Sequence, residues 1–469
     1  MLFSSLLFLY VFLPVCLACY FLLPGIRAKN VVLAVFSLLF YTWGEPVYIL
    51  LMAAVVAVNW GFGLLIEKHR KKWLLIVCVA LNLLCIGVFK YADFLLGSVN
   101  AVFGASLPLP GIALPIGISF YTFQALSYTV DVWRGTVPAQ KSYGKFLLYV
   151  SLFPQLIAGP IVRYSDVEKQ LEHRRTLPEE AFYGALRFCE GLAKKVLLAD
   201  YCGKAAGALL DGNLSAATTV GAWLGVLLYS FEIYFDFSGY SDMAIGMGRI
   251  FGFRYPENFD LPYTAKSVTD FWRRWHISLS SFFRDYVYIP LGGNRRLVYR
   301  NLAVVWVLTG LWHGASWNFV LWGVFFFVLL ALERLLKGPL SHVPGIIRRV
   351  LTLFLVAVSW DIFYFTELPR LLQSLQVLFG LGGVGFFDDA SRIHLVNNLP
   401  LLLLCIFCST PVPRFLGNAL GAMCLGEAED GIRHKLYAVL IFLFDLLLLT
   451  LSTVAMAGSS FNAFLYFRF

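Results

Sequence analysis

Apolar runs of membrane-crossing length recur along the whole chain, and this restricts the fold more than any motif does. They fall at approximately 2–23, 30–43, 47–65, 73–89, 113–131, 146–161, 181–199, 216–235, 302–332, 350–366, 399–417 and 436–457. A helix needs about 20 residues to cross a bilayer, and backbone surrounded by lipid must satisfy its hydrogen bonds internally. Hydrophobic side chains make up 59% of the residues and charged ones 14%, against about 25% charged in soluble domains. The expectation is therefore one all-α polytopic membrane domain over residues 1–469, a bundle of roughly 11 transmembrane helices plus re-entrant or interfacial pieces.

Some runs depart from a plain span. The run at 146–161 contains Phe153-Pro-Gln-Leu-Ile-Ala-Gly-Pro160, whose helix breakers fit a broken or re-entrant helix. The run at 302–332 is long for one pass, and either tilt or a bend at Gly310 and Gly314 would accommodate it. Residues 367–398 form the longest expected external connection.

The amino-terminal run lacks the positive flank of a cleavable signal and reads as a retained first helix. Arg27 and Lys29, then Lys68 to Lys72, then Arg134, Lys141 and Lys145, then Lys169, Arg174 and Arg175 fall on one side of the expected topology. The positive-inside rule puts that side in the cytoplasm and the N-terminus outside, in a bacterial inner membrane. The net charge of +9 suits loops beside anionic lipid, and nothing resembles a nucleic-acid-binding module. Nine cysteines are scattered mostly through apolar runs. The CxxC pairs Cys16/Cys19 and Cys405/Cys408 have no second cluster to complete a zinc site, so neither a metal nor a disulfide framework is expected.

Chemistry is expected where polar groups interrupt these runs. His313 lies in Leu308-Thr-Gly-Leu-Trp-His-Gly-Ala-Ser-Trp317, and an ionisable side chain at membrane depth is a functional-site hypothesis by default. Imidazole titrates near neutrality and can take or give a proton. His276 sits in the aromatic and basic segment Phe271–Pro290, which is too polar to cross lipid freely. The bland reading of either ring is a packed core histidine. His69, His173, His342 and His434 adjoin basic residues and read as solvated, and His394 lies in the expected external loop.

Tyr234-Phe-Asp-Phe-Ser-Gly-Tyr-Ser-Asp-Met243 places two acids after an apolar run. Asp236 and Asp242 form either a polar wall for substrate or a buried ion-pair network, with Arg273, Arg274 and Arg284 as expected partners. Lys194 and Lys195 are expected to snorkel to the cytoplasmic interface. No GxSxG, Walker-type, dinucleotide or HExxH motif occurs in the right context. Base-assisted acyl transfer from a thioester fits what remains, because the donor itself supplies the activated carbonyl. A transporter and a structural subunit with packed histidines are the competing classes.

Phe271–Pro290 with Leu291-Gly-Gly-Asn-Arg295, followed by Gly310–Trp317, resembles the membrane-bound O-acyltransferase family. Pro115–Gln124, Phe153–Pro160 and Tyr234–Met243 are similar to its polysaccharide-acetylating branch, which includes alginate O-acetyltransferases. A teichoic-acid D-alanylating branch shares the fold and both histidines. The resemblance runs from the first helix to Tyr466–Phe469, with its motif-bearing core at about residues 113–332.

It implies a helical bundle around a central tunnel, with His313 as the family's near-invariant histidine and His276 as its second. It also implies acetyl-CoA or an acyl-carrier phosphopantetheine thioester as donor, and a separate extracytoplasmic SGNH-type acetyltransferase as partner. Arg273, Arg274, Arg295 and Arg296 are candidates for attracting an anionic donor, since guanidinium binds phosphate bidentately. Asp236, Trp312 and Asn318 complete the candidate substrate set.

Overall fold

The computed structural model describes residues 1–157, 159–425, 431–458 and 464–465, and among these it contains helices and no strand. The Tyr466–Phe469 end and the side chains of His434 and Cys424 lie outside the described residues. Seven described helices are long and apolar enough to cross a membrane: Ile26–Gly44, Ile49–His69, Lys72–Phe103, Thr219–Ile250, Trp317–Leu335, Asp389–Cys408 and Leu436–Ala457.

The difference from the larger expected number has local causes. Residues 8–22 form an apolar helix too short to meet that length. Ile118–Arg134 is a 17-residue helix that buries Ser119, Thr122, Gln124, Ser127, Thr129 and Asp131, so protein and not lipid surrounds much of it. The breaker-rich run divides into Tyr143–Ser151 and a single turn at Phe153–Leu156, a broken helix as its composition implies.

Contacts gather the chain into two compact units, one holding residues 1–188 and 240–257, the other residues 189–239 and 258–465. In the first, Ile49–His69 and Ile118–Arg134 meet where Gly63 leaves room for the Tyr128 ring. Asn59 Nδ2 donates to Asn82 Oδ1 at 2.9 Å, and Thr129 Oγ1 donates to Asn59 Oδ1 at 2.9 Å. Small residues and satisfied polar groups hold membrane helices together where lipid provides no hydrophobic drive.

In the second unit the 302–332 run is a hairpin, neither a tilted nor a merely bent span. One helix covers Val298–His313, Gly314 is extended, and the next helix covers Trp317–Leu335. Glycine makes the reversal possible. A Cβ on Gly310 would collide with the Phe319 carbonyl, and one on Gly323 with the Trp306 carbonyl. The two backbones touch at those positions. We expect Gly323→Val to part the helices at a destabilisation of about 3 kcal/mol, seen as a lowered unfolding temperature in detergent and reduced yield of monodisperse protein.

The aromatic and basic segment before the hairpin folds as two seven-residue helices, Val268–Arg274 and Ile277–Phe283. Ser267 Oγ caps the first by accepting from the Asp270 N–H at 3.1 Å. Glu333, on the second hairpin helix, accepts from the Val268 N–H at 2.7 Å. That bond fixes the segment against the hairpin and brings its far end, His276, into the same unit as His313.

Candidate functional site

His313 is the last residue of the first hairpin helix, so the reversal that the glycines permit also places it at the hairpin tip. Its ring lies 4.9 Å from the Trp312 ring, 4.9 Å from Trp322 and 5.2 Å from Phe363, centroid to centroid. All three contacts are edge-to-face, and the residue is 7% exposed. Trp322 belongs to the second hairpin helix and Phe363 to the Gly345–Tyr364 helix, so three elements enclose the imidazole. Asn318, fully buried, ties two of them together: its Nδ2 donates to the carbonyls of Ile362 and Phe363 at 3.3 and 3.2 Å. Its Oδ1 has no hydrogen-bond partner among the described residues.

Trp312 joins the second histidine to the first. Its ring is 5.6 Å from that of His276, so one indole touches both imidazoles. Phe237, on the Thr219–Ile250 helix, packs edge-on against His276 at 4.6 Å. His276 is fully buried and sits at φ 44°, ψ 54°, in the left-handed region. A non-glycine residue there stores about 1–3 kcal/mol and persists only where its surroundings over-determine it.

Asn258 supplies that constraint. Its Oδ1 meets His276 Nδ1 at 3.1 Å and accepts from Ser278 Oγ at 2.8 Å and the Ser278 N–H at 3.2 Å. Its carbonyl accepts from the Ile277 N–H at 3.0 Å. Burial pushes the His276 imidazole down to about 3, so the ring is neutral at physiological pH.

Asp236 has a different partner from the arginines expected for it. It pairs with Lys195 at 2.5 Å and accepts from the Leu465 N–H at 2.9 Å. Lys195 also pairs with Asp200 at 2.8 Å, and its side chain is 3% exposed. Lys195 therefore does not snorkel, because two carboxylates replace the water its ammonium would otherwise need. Of the two readings of Asp236, the geometry is that of the buried ion-pair network.

In the first unit, Asp242 pairs with Arg187 at 2.8 Å. The other expected partners are occupied locally or exposed. Arg274 pairs with Asp270 at 2.9 Å and Asp260 at 3.6 Å, and Arg284 with Asp285 at 2.7 Å. Arg273, Arg295 and Arg296 are exposed. Among the described residues no three His, Cys, Asp or Glu side chains converge as metal ligands.

The structure thus brings His313, Trp312 and His276 together, anchors Asn318 at the same hairpin, and leaves the arginines at the ends of the short helices and in the turn beyond them. Sequence reasoning missed Asn258, Trp322, Phe237 and Phe363. Asn258 stands in Pro256-Glu-Asn-Phe-Asp260, where it looks like any turn residue. The spacing of Gly310, Gly314 and Gly323 was the available signal for a close helix crossing.

The model of the MBOAT, membrane-bound O-acyltransferase family, matches residues 122–366, which contain both histidines, Asn258 and the hairpin. A protein of Azotobacter vinelandii named probable alginate O-acetylase AlgI is 39% identical over an alignment that covers all of both chains. The peptidoglycan O-acetyltransferase of Helicobacter pylori is 32% identical over all of this chain and 98% of its own. The teichoic acid D-alanyltransferase of Bacillus subtilis is 31% identical over 46% of this chain and 58% of its own.

Proposed function

This chain belongs to the membrane-bound O-acyltransferase family and is an O-acyltransferase, and from that premise we propose that it moves an acetyl group from a cytoplasmic thioester to hydroxyls of an extracytoplasmic polysaccharide. Acetyl-CoA or an acyl-carrier phosphopantetheine would be the donor, an SGNH-type acetyltransferase the partner outside, and the bacterial inner membrane the location, with the N-terminus outside. Two buried imidazoles in contact with one indole carry this reading.

In it, His313 is the general base or the group that takes the acyl, and His276 handles the proton on a neighbouring oxygen. Acid–base help of this kind is worth about 10²–10⁴-fold. Exposed Arg273, Arg295 and Arg296 attract the anionic donor together with Arg274, which Asp260 and Asp270 hold at the end of the Val268–Arg274 helix.

Similarity to named alginate and peptidoglycan O-acetylating enzymes over the whole chain, against less than half of it for the D-alanylating relative, supports acetyl on a glycan. The test is expression in a host that exports an uronate polysaccharide, with labelled acetate supplied. Base-labile acetyl on the exported polymer is the expected result. Base-labile D-alanine without acetyl would replace this reading with D-alanyl transfer, and labelled donor crossing the membrane with no ester formed would replace it with transport.

A further inference from the structure

We infer that Asn258 is a positioning residue that fixes the Nδ1–H tautomer of His276, so that Nε2 faces the site as a proton acceptor. The inference rests on the reading of His276 as part of the acyl-transfer site and assigns the direction in which it moves its proton.

The tautomer follows from who can donate to whom. The Asn258 atom that receives the Ser278 backbone N–H must be an acceptor, because a backbone N–H cannot accept. That atom is the amide oxygen, and an oxygen of this kind cannot donate. The contact with His276 Nδ1 therefore requires the hydrogen to be on Nδ1. In a neutral imidazole this leaves Nε2 as a lone pair. Nε2 is buried and meets no hydrogen-bond partner among the described residues. Phe237 and Trp312 pack on the ring and Asn258 bonds to it, and none of the three is charged.

The chemical consequence is a balanced step. In the branch where His313 takes the acyl, the acceptor hydroxyl oxygen bonds to the acyl carbon while its proton passes to Nε2 of His276. The bond between the acyl carbon and the His313 ring nitrogen breaks, and that imidazole leaves with the same proton. Neutral His276 is restored. The opposite tautomer would present an N–H to the hydroxyl and could not begin this cycle.

A structural role must be separated from the tautomeric one, because Asn258 also serves the Ile277–Phe283 helix. Its carbonyl and Oδ1 satisfy the N–H groups of Ile277 and Ser278, the first two residues of a helix whose own cap position is occupied by His276. Aspartate caps as well as asparagine does, so Asn258→Asp keeps that service and changes only the charge facing Nδ1. A carboxylate there favours the imidazolium.

The experiment is the pH profile of thiol release from acetyl-CoA by the full-length enzyme in detergent with a soluble glycan acceptor. For Asn258→Asp the acidic limb should move to higher pH by about 1 unit or more. For Asn258→Leu, kcat should fall on the order of 10²-fold or more with KM for acetyl-CoA unchanged. A folded Asn258→Asp enzyme with the native profile would overturn the inference.

Histidine ¹⁵N spectra of the unmodified protein, with the His276 resonances identified by their loss in His276→Gln, give an answer that needs no Asn258 variant. Protonated Nδ1 supports the inference and protonated Nε2 overturns it. His276→Gln also tests the underlying reading separately: full activity in that variant would remove His276 from the reaction, whereas an inactive His276→Gln beside an unshifted Asn258→Asp would remove only the role given to Asn258.

Discussion

Replacing His313 with alanine is expected to reduce acyl transfer by about 10²–10⁴-fold, at or below detection in most assays, while protein still reaches the membrane. The bland alternative is that His313 only packs. Its ring fills a space bounded by Trp312, Trp322 and Phe363, and alanine would leave a void there that destabilises the hairpin. Phenylalanine separates the two explanations. It refills the aromatic enclosure and cannot exchange a proton. If proton chemistry is what the site needs, His313→Phe is folded, with an unfolding temperature near the native one, and is as inactive as alanine. Thiol release from acetyl-CoA and ester on the polymer, measured beside the melting curve, give both quantities. Native activity in folded His313→Phe would return the residue to the core.

Particular residues explain what could be read in advance. His313 stands out as a candidate because an ionisable group inside a long apolar run conflicts with its surroundings, and its place among aromatic rings at the hairpin tip is a feature of the fold. The hairpin was only half legible. The length of the 302–332 run signalled a difficulty, but hydropathy does not distinguish a bent span from two packed helices. Backbone contact at Gly310 and Gly323 decides that, and it depends on residues 13 positions apart meeting in space.

The partner of Asp236 was illegible for a plainer reason. Arginines at 273, 274 and 284 are abundant in an obviously polar segment, whereas Lys195 stands in an apolar run where snorkelling is the usual outcome. Nothing local says that an acid 41 positions along the chain will face it. Asn258 is the extreme case. Its position looks like a turn, and only the structure shows which atoms its side-chain amide oxygen and its backbone carbonyl reach.

The largest stability effect is expected at Lys195. Its ammonium holds Asp236 at 2.5 Å and Asp200 at 2.8 Å and lies 4.7 Å from the Phe464 ring centroid. Lys195→Met removes the cation from the buried Asp236 carboxylate and the partly exposed Asp200 carboxylate, with one backbone N–H from Leu465 remaining to Asp236. Breaking a buried pair in this way costs about 3–5 kcal/mol. Asp236→Asn should lose less, because the Lys195–Asp200 pair survives. The double variant Lys195→Met/Asp236→Leu should be more stable than Lys195→Met alone, since it removes one of the stranded charges along with its partner. Coupling of that sign, read from melting curves of the four proteins, is the mark of a buried pair. Losses that simply add would mean that Lys195 reaches the interface after all. Activity follows the same geometry, because Asp236 is adjacent to Phe237, whose ring borders His276 at 4.6 Å. A Lys195→Met enzyme assayed below its lowered melting temperature should still transfer acyl groups more slowly than the native protein. A native rate there would mean that the ion pair holds the bundle together without setting the position of Phe237 on His276.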